Sequence, residues 1–130
     1  NLRKGAYPSY LGDWYPDFLD ADNYLQPFVE CPQGSAEAGC ESGGAQTQGS
    51  FYYSSKVNDL IAQQRQTADP AARAEILAEI QTELAADVPY IPLWQSKDYL
   101  FVQNSVQGVV LNPSQYLSFA VLEVNTADDE

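Results

Sequence analysis

Between residues 54 and 88 apolar side chains recur at the three- and four-residue spacing of a helix. Ser54 or Ser55 can cap a first helix that runs to about Gln66 and turns Val57, Leu60 and Ile61 inward. Asp69 and Pro70 then start a second, with Asp69 as N-cap and Pro70 at the first helical position, where its missing N–H costs nothing. Ile76, Leu77, Ile80 and Leu84 make its apolar stripe, and Val88-Pro89 ends it. Two antiparallel helices joined by a tight turn are predicted.

Elsewhere the pattern changes character. Residues 7–28 are rich in aromatics and acids and are broken by Pro8, Pro16 and Pro27. Residues 7–14 read as a strand leading into a loop. A short helix follows over 22–28, capped by Asp20 or Asp22, with Tyr24, Leu25 and Phe28 on one face. Residues 30–50 are Gly, Ser, Ala, Gln and Glu and read as a long surface loop. Four β-prone runs, 90–94, 99–102, 106–111 and 119–124, close the chain before a frayed Asp128-Asp129-Glu130.

Composition narrows the chemistry. In 130 residues there are 18 acids against 6 Lys and Arg, a net charge of -12 that repels phosphate backbones, so nucleic acid is not an expected partner. With no His and two Cys, the usual transition-metal ligand sets and every Ser-His triad are excluded from this chain alone. Cys31 and Cys40, nine positions apart in a Gly-rich acidic stretch, are expected to pair as a disulfide, which implies an oxidising compartment. The chain contains no Met and starts at Asn1, so a processed product or a piece of a longer chain is expected. Glu75, Glu79 and Glu83 fall at i, i+4, i+8, a like-charge row expected to be a solvated face.

The densest candidate site is Asp13, Trp14, Tyr15, Asp17, Phe18, Asp20, Asp22, Asn23 and Tyr24. Carboxylates framed by indole and phenol faces suit an ammonium group, through charge pairing and cation–π attraction. The same residues admit other readings. Asp13, Asp17 and Asp20 could serve a carboxylate-dependent hydrolase, and Asp20, Asp22 and Asn23 could offer oxygens to calcium. A ligand-free structural or interaction domain, built on an aromatic core segment with solvated acids, is the third.

The order of the motifs favours the first reading over the other three. Trp14-x-x-Asp17-Phe18, then Asn23-Tyr24-Leu25, Phe51-Tyr52-Tyr53-Ser54, Val57-Asn58-Asp59-Leu60-Ile61, Asp69-Pro70-Ala71-Ala72-Arg73, Ile80-Gln81, Asp87-Val88-Pro89-Tyr90-Ile91-Pro92-Leu93 and Val106-Gln107-Gly108 follow one another along the chain. Together they resemble the C-terminal part of the family 5 extracellular solute-binding proteins, the peptide, dipeptide and nickel-type receptors of ABC importers. The resemblance implies an α/β chain from a two-lobed fold of the periplasmic-binding-protein type (class II, large), with the two helices packed on short strands. It implies that residues 1–104 end the second lobe and that 105–130 return to the first. It further implies a non-enzymatic role outside the cytoplasmic membrane, in the periplasm or extracellular space, where a missing N-terminus could supply a membrane anchor. A small solute or peptide is captured there and delivered to an ABC permease, with no cofactor. The implied partners also include a missing N-terminal part or a second copy. By motif, Asp17 takes the ligand's amino group and Trp14 lines a side-chain pocket, with Tyr15 beside it. The family often carries Pro where this chain has Ala21, and a small residue where it has Pro16.

Overall fold

The computed structural model describes residues 2–114 and 117–124; the expected fraying of Asp128-Asp129-Glu130 lies outside them. The chain divides between Pro92 and Leu93 into two units.

In the first unit the helical hairpin forms as its sequence dictates. The first of its helices, α3, spans Ser55–Gln66, and the Ser54 hydroxyl accepts a hydrogen bond from the Val57 N–H. The second, α4, spans Pro70–Asp87, and the Asp69 carboxylate accepts from the Ala72 N–H. Each cap satisfies one of the donors a helix start leaves orphaned. At its far end α4 stops on Val88 in the left-handed region, at φ 49°, unusual for a β-branched residue and held by its N–H bonding to the Leu84 carbonyl. The helices run antiparallel: Lys56 near the start of α3 reaches Glu79 and Glu83 late in α4, while Arg73 early in α4 reaches Gln64 late in α3.

Against this hairpin lies α1, Asp22–Val29. Leu25 and Val29 of α1, Val57, Leu60 and Ile61 of α3 and Ile80 of α4 form the main core, flanked by Phe28, Tyr52, Ile76, Leu77 and Leu84. Burying each of these aliphatic side chains contributes roughly 1.5–3 kcal/mol. The inward residues expected of α3 are all buried. In α4 only Ile80 is fully so, and the rest of its stripe is half-covered. In α1 the buried set is Asn23, Leu25, Pro27 and Val29; of the expected face Leu25 is in the core and Phe28 packs against it, while Tyr24 is exposed. The expected packing of the hairpin on strands is corrected too, since α1 occupies that place.

Residues 30–50 are not the surface loop that their composition predicts. Gln33–Ser35 (β1) and Gly39–Ser42 (β2) pair antiparallel, and Gly44–Thr47 forms a one-turn helix, α2. The Cys31–Cys40 disulfide forms as expected, and both cysteines are buried with Ala45 beneath Tyr52 and Tyr53 as a second small core. The cross-link supplies the apolar centre that the flanking polar residues lack. Asn58 of α3 fastens this layer: its amide accepts from the Cys31 N–H at 2.9 Å and donates to the Cys31 carbonyl at 2.7 Å. Residues 7–14 form no strand: Pro8 interrupts them, and among the described residues no strand pairs with them.

The second unit carries Val106–Gln107 (β3) paired antiparallel with Glu123–Val124 (β4), an isolated bridge between Leu111 and Leu117, and a 3-10 turn at Phe119–Val121. The four expected β runs thus reduce to two two-residue strands. Residues 90–94 and 99–102 are irregular, and Phe119–Val121 is helical. Among the described residues no helix is long and apolar enough to cross a membrane.

Candidate binding cleft

The segment before α1 is organised by one amide. Asn23, 6% exposed in the first turn of α1, accepts two hydrogen bonds at its side-chain oxygen, from the Trp14 indole N–H at 3.2 Å and the Asp17 backbone N–H at 3.0 Å. Both partners can only donate, so chemistry fixes which end of the amide faces them. Behind the indole stands Phe28, edge to face with ring centroids 5.2 Å apart, and Tyr90 packs on Phe28 at 5.9 Å.

Trp14 and Asp17 line an open cleft of about 650 Å³. Phe18, Asp22, Asn23, Gln26 and Pro27 share its near wall, and residues 42–44 and 46–48 form the other. Gly43 and Gly44 are what let the walls meet. Gly43 sits at φ 145°, and a Cβ on Gly44 would lie 2.1 Å from the Gln26 carbonyl oxygen. The far wall is polar and uncharged: Ser42, Gln46, Thr47 and Gln48, with the Gln46 amide donating to the Arg3 carbonyl. Tyr15, 46% exposed, is not brought to the cleft.

The carboxylates next to the cleft differ in their partners. Arg73 holds Asp20 through two hydrogen bonds, at 2.8 and 2.6 Å. Those bonds, with the Asp22 N–H donated to Asp20 at 2.8 Å, pull the Asp20 carboxyl from 3.8 down to about 2. Asp22 accepts from the Arg65 guanidinium at 3.0 Å and from the Gln64 amide at 2.7 Å, and Arg65 also pairs with Glu30. Gln64, fully buried, joins the two ion pairs by accepting from Arg73 at 2.8 and 2.7 Å. Asp20 and Asp22 are therefore both paired with arginines, and the lowered Asp20 carboxyl is poorly suited to act as a general acid. Among the described residues no three acids or cysteines cluster as a metal site. The Asp17 side chain, by contrast, is exposed and makes no hydrogen bond or ion pair among the described residues.

At the other end of the hairpin the acidic row is partly neutralised. Lys56 bridges Glu79 at 3.0 Å and Glu83 at 2.8 Å, both exposed pairs. Tyr52 donates to Asp87 at 2.6 Å, and burial, then this bond, pushes its phenol up to about 12.

Three curated proteins are similar to this chain. The chain is 31% identical over 122 residues to di/tripeptide-binding protein 4 of Pseudomonas aeruginosa (strain UCBPP-PA14), covering 94% of this chain and 21% of that protein. It is 28% identical over 112 residues to the probable D,D-dipeptide-binding periplasmic protein DdpA of Escherichia coli (strain K12), covering 86% of this chain and 20% of the other. Over 119 residues it is 28% identical to the probable ABC transporter periplasmic-binding protein SapA of the same strain, covering 92% and 20%. The chain thus spans about a fifth of the length of these relatives. No family profile matches, and no solved structure matches. Each of these relatives is named as a binding protein. The similarity is consistent with the family 5 extracellular solute-binding proteins, the group that the motif order of this chain resembles.

Proposed function

We propose that this chain supplies one wall of the ligand cleft of a peptide receptor that works outside the cytoplasmic membrane and passes its ligand to an ABC permease. The observation that carries the reading is the Asp17 carboxylate, unpartnered beside a fixed Trp14 in an open cleft, in a chain similar over nearly its whole length to a di/tripeptide-binding protein. A free carboxylate meets the ligand's α-ammonium in a charge-assisted bond worth roughly 1.5–3 kcal/mol, and the indole face receives an apolar side chain. Asp20 and Asp22, already neutralised, shape the loop without competing for the amine. In the whole receptor, residues 1–104 end the second lobe, residues 105–130 return to the first, and the lobes close on the peptide.

The test is calorimetry on the full-length receptor with dialanine and with N-acetyl-dialanine, which lacks the cation. Dialanine binds and the acetylated form does not. Asp17→Ala lowers dialanine affinity about 10- to 150-fold with the fold intact. Unchanged affinity in that variant overturns the assignment of Asp17.

A further inference from the structure

We infer that Asn23 is the positioning residue of this cleft: it orients both Trp14 and Asp17 for an ammonium-bearing peptide without touching the ligand's charge itself. The inference rests on the function proposed above and adds to it how the two ligand-contacting residues are held. Trp14 and Asp17 sit on a segment with no regular secondary structure, so backbone ladders do not fix them. One buried acceptor on α1 takes the indole N–H and the Asp17 backbone N–H together. Because the Asp17 N–H is spent on Asn23, the main chain at Asp17 is pinned while its carboxylate stays unpartnered. Because the indole edge is spent on the same oxygen and packed against Phe28, the ring cannot swing away from the cleft wall. Asn23 is anchored in turn: its helix packs Leu25 and Val29 into the main core, and Asp22 beside it is tied to α3 through Gln64 and Arg65.

Removing this acceptor leaves two donors without their partner and frees the loop. Restoring an acceptor of the same shape re-forms both bonds. In the full-length receptor, Asn23→Leu is expected to lower dialanine affinity about 10- to 100-fold. It also moves the Trp14 indole N–H proton resonance upfield, the resonance being identified by its loss in Trp14→Phe. Asn23→Asp, whose carboxylate can accept from both donors, returns the resonance downfield and restores affinity to within about 3-fold of the parent. Should Asn23→Leu not fold, Asn23→Ser, which falls short of both donors, carries the same expectation.

A folded Asn23→Leu or Asn23→Ser receptor with parental affinity overturns the inference, and so does an Asn23→Asp receptor that stays as weak as Asn23→Leu. Asp17→Ala separates this claim from the reading beneath it. If Asp17→Ala binds dialanine normally, amine capture by Asp17 fails and the positioning role falls with it. If Asp17→Ala loses binding while Asn23→Leu keeps it, only the positioning role fails. The indole resonance needs no ligand and reports the hydrogen bond in either case.

Discussion

The stretch up to Pro92 and the stretch from Leu93 onward are both rich in apolar residues, yet only the first buries them. Before Pro92, two cores close around α1, the α3–α4 hairpin and the disulfide. From Leu93, none of the described residues is buried, Trp94 is 72% exposed and Phe101 91%. The difference lies in period and partners rather than in hydrophobicity. Helical spacing gathers Val57, Leu60 and Ile61 onto one stripe, and a single neighbouring helix is enough to cover it. Alternating runs must pair with several strands before they have a face to bury, and two residues per strand do not suffice. Apolar content therefore predicts a core only where the chain also brings the cover.

The contrast can be broken or sharpened by substitution. The largest effect is expected from Ile61→Ala, which opens a cavity in the main core and costs about 2–5 kcal/mol in urea unfolding followed by far-UV circular dichroism. Next comes the paired change Cys31→Ser with Cys40→Ser. Releasing the nine-residue separation costs roughly 2–3 kcal/mol by loop entropy, read as the same midpoint shift. Tyr52→Phe loses the bond to Asp87 and about 1 kcal/mol.

A smaller effect is confined to acid. The Asp20 carboxyl titrates at 3.8 in the unfolded chain and near 2 in the folded one, so the unfolded chain takes up the proton first as pH falls. The stability it contributes is full above about pH 4 and is lost as pH falls through 2. Arg73→Gln flattens the acid limb over that window, and urea midpoints at pH 5, 3 and 2 check it. The smallest effect is expected at Phe101→Ala, within about 0.5 kcal/mol despite the size of the ring. If it matched Ile61→Ala, the contrast between the two stretches would be gone.

What the residue pattern disclosed follows the same division. Caps and boundaries of α3 and α4 were legible because Ser54, Asp69 and Pro70 act on backbone groups within three residues of themselves. The disulfide was legible from two cysteines in a short polar stretch, but the hairpin it organises was not. Polar composition looks like a loop until the buried sulfurs are counted as core. Residues 7–14 carried strand-like side chains without a strand to pair with. In the cleft, Trp14 and Asp17 could be picked out by motif, and Asn23 stood among the candidates as a possible cation ligand. Its role as a shared acceptor depends on the turn before α1 bringing back residues six and nine positions earlier, which no local spacing announces. The far wall was missed for the same reason: it arrives from beyond the disulfide.

The buried Gln64 amide between the two arginine–aspartate pairs has a consequence for how the cleft meets its surroundings. An amide does not titrate, a guanidinium keeps its proton, and the Asp20 carboxyl yields only near pH 2. The Asp20–Arg73 end of that fastening thus keeps its charges from neutral pH down to about pH 4. Mild acidification of the medium would leave the Asp20 end of the clasp, and the turn that it holds behind the cleft, as it was.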